Sequence, residues 1–101
     1  MGFTLHKSDE YEIWYNTQPL KSQVQIEKRL SNIEIYGHFG TINGVGNDVW
    51  ELKWQSGRRV YYAYLEEENI LILLGGNKNG QSRDIHDAAK ILKDNTEEAE
   101  A

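Results

Sequence analysis

Lys53, Arg59 and Tyr61 are the residues of this chain whose types and spacing could do chemistry together. An alternating run from Val49 to Trp54 and a second strand, Arg58 to Leu65, rich in tyrosine and valine, flank the short segment Gln55-Ser56-Gly57. A three-residue turn with glycine last is a common hairpin connection, because its final residue needs a left-handed backbone. That turn sets Trp54 opposite Arg58, Lys53 opposite Arg59, Leu52 opposite Val60, Glu51 opposite Tyr61 and Trp50 opposite Tyr62. Directly opposed residues share a sheet face. One face then holds Trp50, Leu52, Val60 and Tyr62 and reads as core. The other holds Glu51, Lys53, Arg59 and Tyr61. A one-residue slip would put Val60 opposite Lys53, so the register that separates apolar from polar is preferred.

Two chemistries fit that polar face. It is either a solvated surface with Glu51 pairing a cation, or a phosphate site. A lysine and an arginine on a rigid strand pair, beside a tyrosine hydroxyl, suit binding and cleavage of a phosphodiester. Metal chemistry is not supported: His6, His38 and His86 are scattered without helical pairing. The chain has no cysteine, which excludes a disulfide framework, a thiolate metal site and a thiol nucleophile.

The rest of the chain must position this hairpin. Phe3 to His6 alternates like a short strand. Ser8 followed by Asp9 and Glu10 marks a helix start, with Tyr11, Trp14 and Tyr15 on one face. Pro19 ends that helix and opens another over about Leu20 to Tyr36, striped by Ile26, Leu30 and Ile33. Gly37 and Gly40 break it, and Thr41 to Asn47 reads as a glycine-rich loop. Glu66 to Asn69 is a polar turn. Ile70 to Leu74, apolar throughout, reads as a central strand covered on both faces. Gly75 to Gly80 reads as a loop, and Ser82 caps a last helix faced by Ile85, Ala88, Ala89 and Leu92. The order is β-α-α-β-β-β-α, an α+β arrangement with helices packed on a small, mainly antiparallel sheet.

The formal charge is −5, and four acidic residues fall in the last eight. A single domain over residues 1–93 followed by an acidic, disordered tail at 94–101 is expected. No leader peptide is apparent, and the longest apolar run falls far short of the roughly 20 residues of a membrane span. These features suit a cytoplasmic protein without membrane contact. The acidic balance argues against a nucleic-acid binder as a whole, though a local basic patch acts through its own field.

The motifs together resemble a known family. Glu51-Leu52-Lys53, Arg58-Arg59-Val60-Tyr61-Tyr62 and Gly75-Gly76-Asn77-Lys78, continuing as Gln81, Arg83-Asp84-Ile85 and Ala88-Ala89, resemble the addiction-module killer proteins related to RelE and HigB. Trp14 and Gly37-His38-Phe39-Gly40 extend the resemblance into the helical half. It implies a RelE/ParE-like fold and the toxin of a type II toxin–antitoxin system. The implied activity is ribosome-dependent cleavage of messenger RNA with no metal or cofactor, and the implied partner is a cognate antitoxin, often a helix-turn-helix protein. Lys53, Arg59 and Lys78 stand at the family's basic positions, with Arg83 and Tyr61 as secondary candidates. Each has a plain alternative: Lys78 as a solvated loop residue, Arg83 as the ion-pair partner of Asp87. Lys53 stands where many relatives carry arginine, and Asn77 where they carry aspartate. The same fold serves ParE-like toxins that block gyrase without chemistry, so two other readings remain: a protein-blocking toxin and an inactive antitoxin-binding module.

Overall fold

The computed structural model describes residues 2–97. Its elements in chain order are β1 (Thr4–Lys7), α1 (Asp9–Asn16), α2 (Leu20–Tyr36), β2 (Ile42–Gly46), β3 (Val49–Lys53), β4 (Arg58–Tyr64), β5 (Asn69–Asn77), a 3-10 turn (Lys78–Gly80) and α3 (Gln81–Glu97). The five strands form one sheet in the order β1-β5-β4-β3-β2. Only β1 and β5 run parallel; the remaining pairs are antiparallel. The α+β, mainly antiparallel expectation holds, with one more strand than the sequence suggested.

The helical pair forms for local reasons. Ser8 accepts a hydrogen bond from the Tyr11 amide at 3.0 Å and donates to the Leu73 carbonyl at 2.6 Å, so it caps α1 and ties it to β5. Pro19 precedes the first residue of α2, and Gly37, at φ +69°, closes that helix in the left-handed conformation. Ile26, Leu30 and Ile33 bury the α2 stripe against Leu52, Val60, Tyr62, Ile70 and Ile72. Each such side chain contributes about 1.5–3 kcal/mol by leaving water. α3 covers the opposite sheet face, where Val49, Tyr61, Ala63, Leu71 and Leu73 meet Ala88 and Ile91. β5 is therefore the doubly covered strand expected from its sequence.

Four expectations need correction. The segment read as a glycine-rich loop contains β2, which pairs with β3 through a two-residue turn at Asn47 (φ +55°) and Asp48 (φ +63°). Two successive positive φ values are the hairpin geometry that matches strand twist. Gly44 hides the strand in the sequence, and it lies close under a ring: a Cβ there would sit 3.3 Å from Trp50, a tight contact. Gly75, Gly76 and Asn77 belong to β5, so the loop shrinks to Lys78–Gly80. α3 starts at Gln81, ahead of Ser82, and stays helical through Glu97, so residues 94–97 of the expected tail extend the helix. The rest of that tail lies outside the described residues. Finally, the polar hairpin face is no open surface, because α3 lies across part of it: Glu51 and Tyr61 are fully buried.

Candidate functional site

The hairpin has the register derived from its turn. Trp50 pairs with Tyr62, Glu51 with Tyr61, Leu52 with Val60 and Lys53 with Arg59. The turn is closed by the Trp54 amide on the Arg58 carbonyl (3.1 Å) and the Gly57 amide on the Trp54 carbonyl (3.0 Å), with Gly57 at φ +101°. Lys78 joins the same turn from β5's end. Its amide donates to the Gly57 carbonyl at 2.8 Å. Its aliphatic stem passes over Gly57, where a Cβ would meet Lys78 Cγ and Cδ at 3.4 Å. The fold thus brings Lys53, Arg59 and Lys78 to one turn, although Lys78 lies far along the chain from the other two.

The three cations differ in exposure. Lys78 is exposed and Lys53 half-buried. Arg59 is only 9% exposed, with Nη1 donating to the carbonyls of Trp54 (3.2 Å) and Arg58 (2.9 Å) and Nε buried without a partner. A buried donor left unpaired costs about 1–3 kcal/mol. Tyr61 also buries its hydroxyl without a partner among the described residues. Burial, then Glu51 and Asp84, push the Tyr61 hydroxyl up to about 12. Arg83 stands apart on the surface, 3.9 Å from Asp87 at the helical i+4 position.

Under α3's first turn lie Glu51, which the sequence reading paired with a cation, and Gln81 and Asp84, to which it gave no role in the site. The Glu51 carboxylate, fully buried, accepts from Gln81 Nε2 at 3.1 and 2.9 Å. Asp84 lies over β5 where the strand has no side chains. A Cβ at Gly76 would fall 2.1 Å from its Oδ2, and one at Gly80 would fall 3.3 Å away. Burial raises the Asp84 carboxyl above its ordinary range, Asp87 adds to that, and Arg83 opposes it. The signal for Asp84 was present: two glycines in a strand mark a close approach.

Arg29 is the second residue the sequence did not mark. From α2 it donates to the carbonyls of Phe39 (2.9 Å), Thr41 (2.6 Å) and Lys53, fastening the helix to the end of β3. Its guanidinium also lies 4.4 Å from the Trp54 ring centre, and that of Arg58 lies 5.4 Å away. Arg58 itself is held by Gln25 (3.1 Å) and Ser22 (3.0 Å) of α2. Arg29 sits on the flank of the Ile26–Leu30–Ile33 stripe, and that place was its only sequence signal.

Charge is segregated along β4. Six of the chain's eleven lysines and arginines (Lys28, Arg29, Lys53, Arg58, Arg59 and Lys78) gather around residues 53–57. The strand's other end, about 20 Å away at roughly 3.3 Å per residue, leads into Glu66-Glu67-Glu68. A net charge of −5 therefore coexists with a cationic end, and it is the local field that a polyanion meets. Among the described residues no group of three or more histidine and carboxylate side chains could hold a metal ion, and no helix is long and apolar enough to cross a membrane.

Comparison with known proteins agrees with this architecture. A mutant of the E. coli toxin RelE in the free state matches with a TM-score of 0.69 at 16% identity, over 88% of this chain and 95% of that one. A chain of the toxin–antitoxin complex RelBE2 from Mycobacterium tuberculosis matches with a TM-score of 0.60 at 10% identity, over 76% of this chain and 99% of that one. At such identities the likeness is one of fold. An uncharacterized protein of Haemophilus influenzae is 30% identical over 78 residues, 74% of this chain and 77% of its own length. Residues 14–95 match the family described as phage-derived protein Gp49-like. The chain belongs to that Gp49-like family and is built on the fold of the RelE toxins.

Proposed function

We propose that this protein is the toxin of a type II toxin–antitoxin pair and an endoribonuclease that cuts messenger RNA on the ribosome without a metal. The observation that carries the reading is the convergence of Lys53, Arg59 and Lys78 on the Gln55–Gly57 turn of an otherwise acidic chain. The reaction is attack of a ribose 2′-hydroxyl on the adjacent phosphorus. The O2′–P bond forms, the P–O5′ bond breaks, and the products are a 2′,3′-cyclic phosphate and a 5′-hydroxyl. Three tasks follow: taking the 2′-hydroxyl proton, stabilising charge on the non-bridging oxygens, and protonating the leaving O5′.

Arg59 and Lys78 suit the second task. Arg59 is held rigid by backbone carbonyls, and Lys78 reaches across the turn from the other side. Lys53, directly opposite Arg59, delivers the proton to O5′. Asp84 is the acceptor: its carboxylate lies against Gly76 and Gly80, on either side of Lys78 in the chain, and its raised pKa moves it toward the working range of a general base. Tyr61, buried beneath α3, supports the strand pair and does not touch RNA, and Arg83 serves the surface pair with Asp87. The cognate antitoxin silences the enzyme by covering the cationic end.

Inducing the protein alone in bacteria tests the class. Growth arrest that is relieved by co-expressing the adjacent open reading frame, with new 5′ ends inside messages, is the expected result. Arrest with intact messages would transfer the protein to the protein-blocking toxins.

A further inference from the structure

Beside the cationic turn, on the α2 side, runs an open groove of about 460 Å³ between the helix and residues 53–56. Its walls are Gln25, Lys28 and Arg29 of α2 and Lys53, Trp54 and Gln55 of the hairpin. Among the described residues no carboxylate lines it, in a chain with sixteen acidic residues against eleven basic ones. Lys28, Gln25 and Gln55 are exposed, and among the described residues the Lys28 ammonium has no ion-pair partner. The floor is rigid: Trp54 is clasped by two guanidinium groups, each held in turn by carbonyl or side-chain oxygens. The groove adjoins the hairpin that carries the proposed reaction site: Lys53 lines it, and in the hairpin Lys53 stands opposite Arg59.

We propose that this groove holds the substrate strand beside the cut, as a subsite for single-stranded RNA. This rests on the ribonuclease reading and extends it by naming where the flank lies. Lys28 meets a phosphate as a point charge. Gln55 carries an amide that both donates and accepts, and Gln25, whose oxygen accepts from Arg58, brings its amide N–H donors, the equipment for base edges. Of the two guanidinium groups beside Trp54, that of Arg29 lines the groove, and with the indole it offers a flat surface on which an unpaired base stacks. A duplex keeps its bases stacked inside and gives such a surface nothing to hold, so the occupant is a single strand.

Fluorescence anisotropy with an uncleavable probe separates this claim from the chemistry. The probe is a fluorescein-labelled single-stranded octanucleotide, 2′-O-methylated throughout so that no hydroxyl can attack, with a tetranucleotide of the same design beside it. Lys28→Glu should weaken octanucleotide binding about tenfold and lower the slope of log affinity against log salt by about 0.7, the value for one phosphate on a single strand. The tetranucleotide, which the reaction site alone can hold, should change less than about twofold. Lys90→Glu makes the same change of net charge on α3, away from the groove, and should leave both probes within about twofold of wild type. Equal weakening by Lys28→Glu and Lys90→Glu, or unchanged octanucleotide binding by Lys28→Glu, overturns the subsite. If the octanucleotide responds as described but wild-type protein leaves messenger RNA on ribosomes intact, the groove stands and the ribonuclease reading falls. If messenger RNA is cut and the Lys28→Glu variant binds normally, the groove alone falls.

Discussion

Gln81 donates from one amide nitrogen to both carboxylate oxygens of Glu51, at 3.1 and 2.9 Å, and so bolts the first turn of α3 to the middle of β3. The carboxylate is fully buried, and Gln81 is the one hydrogen-bond donor recorded for it among the described residues. Losing that donor leaves a buried charged group unpaired. Gln81→Ala should therefore cost about 2–3 kcal/mol, within the range for hydrogen bonds to charged groups. Adding Glu51→Gln should recover part of the loss, because a neutral amide is cheaper to bury than a carboxylate. Denaturant melts of the two variants decide it; no recovery in the double variant would show that α3 is held by packing alone.

Gly75 and Gly76 lie side by side in β5 and face opposite layers. A Cβ at Gly75 would fall 2.2 Å from the Trp14 ring, and one at Gly76 would fall 2.1 Å from Asp84 Oδ2. The ring is wedged in the core layer, whereas a carboxylate at the end of a side chain can swing aside. Gly75→Ala should destabilise by about 1–3 kcal/mol, the usual cost of overpacking, and Gly76→Ala by less. Combining Gly76→Ala with Asp84→Ala should remove the remaining penalty. Equal melting points for the two glycine variants would contradict the arrangement of Trp14 and Asp84.

In the proposed mechanism Asp84 sets stability against activity. Its carboxyl has a raised pKa in the folded protein, so folding favours its neutral form. Its favourable contribution is then fully present below the ordinary aspartate pKa and is lost as pH rises through the folded value. At neutral pH the charged carboxylate is a burden, and Asp84→Asn should raise the melting point. That gain should vanish as pH falls below the carboxylate range, where both side chains are neutral. Cleavage should drop by about 100-fold or more, the usual contribution of a general base. A variant that is more stable yet cuts normally would remove Asp84 from the mechanism while leaving its environment as described.

The hairpin was legible in the sequence because two signals agreed: a three-residue turn ending in Gly57, and a register that put Leu52 with Val60 and Trp50 with Tyr62. The α2 stripe of Ile26, Leu30 and Ile33 was legible from its period. The cover over the polar hairpin face was not. Glu51 and Tyr61 look like solvent-facing residues in an alternating strand; Gln81, from far along the chain, pairs the buried Glu51 carboxylate, whereas the Tyr61 hydroxyl is buried without a partner among the described residues. β2 was missed because Gly44 and Gly46 suppress strand propensity, although Gly44 lies close under the Trp50 ring. Lys78 was reached by resemblance alone, since nothing local to Gly75–Gly80 says that its amide will dock on Gly57.

Cleavage of messenger RNA on programmed ribosomes, mapped by primer extension, tests the cationic turn most directly, and the variant to use is Lys53→Ala with Lys78→Ala. Arg59 is a poor choice because its guanidinium supports the Trp54 and Arg58 carbonyls, so its loss would confound folding with chemistry. Lys53 and Lys78 are the more exposed pair, and removing each should shift stability by no more than about 1 kcal/mol. Each lost cation should raise the barrier by about 2–4 kcal/mol, on the order of 100-fold in rate, if it faces charge that develops on the phosphate. The expected result is wild-type protein cutting within coding sequence and a folded double variant that leaves the message whole. A double variant that cuts at the wild-type rate, or a wild-type protein that arrests growth with every message intact, would contradict it.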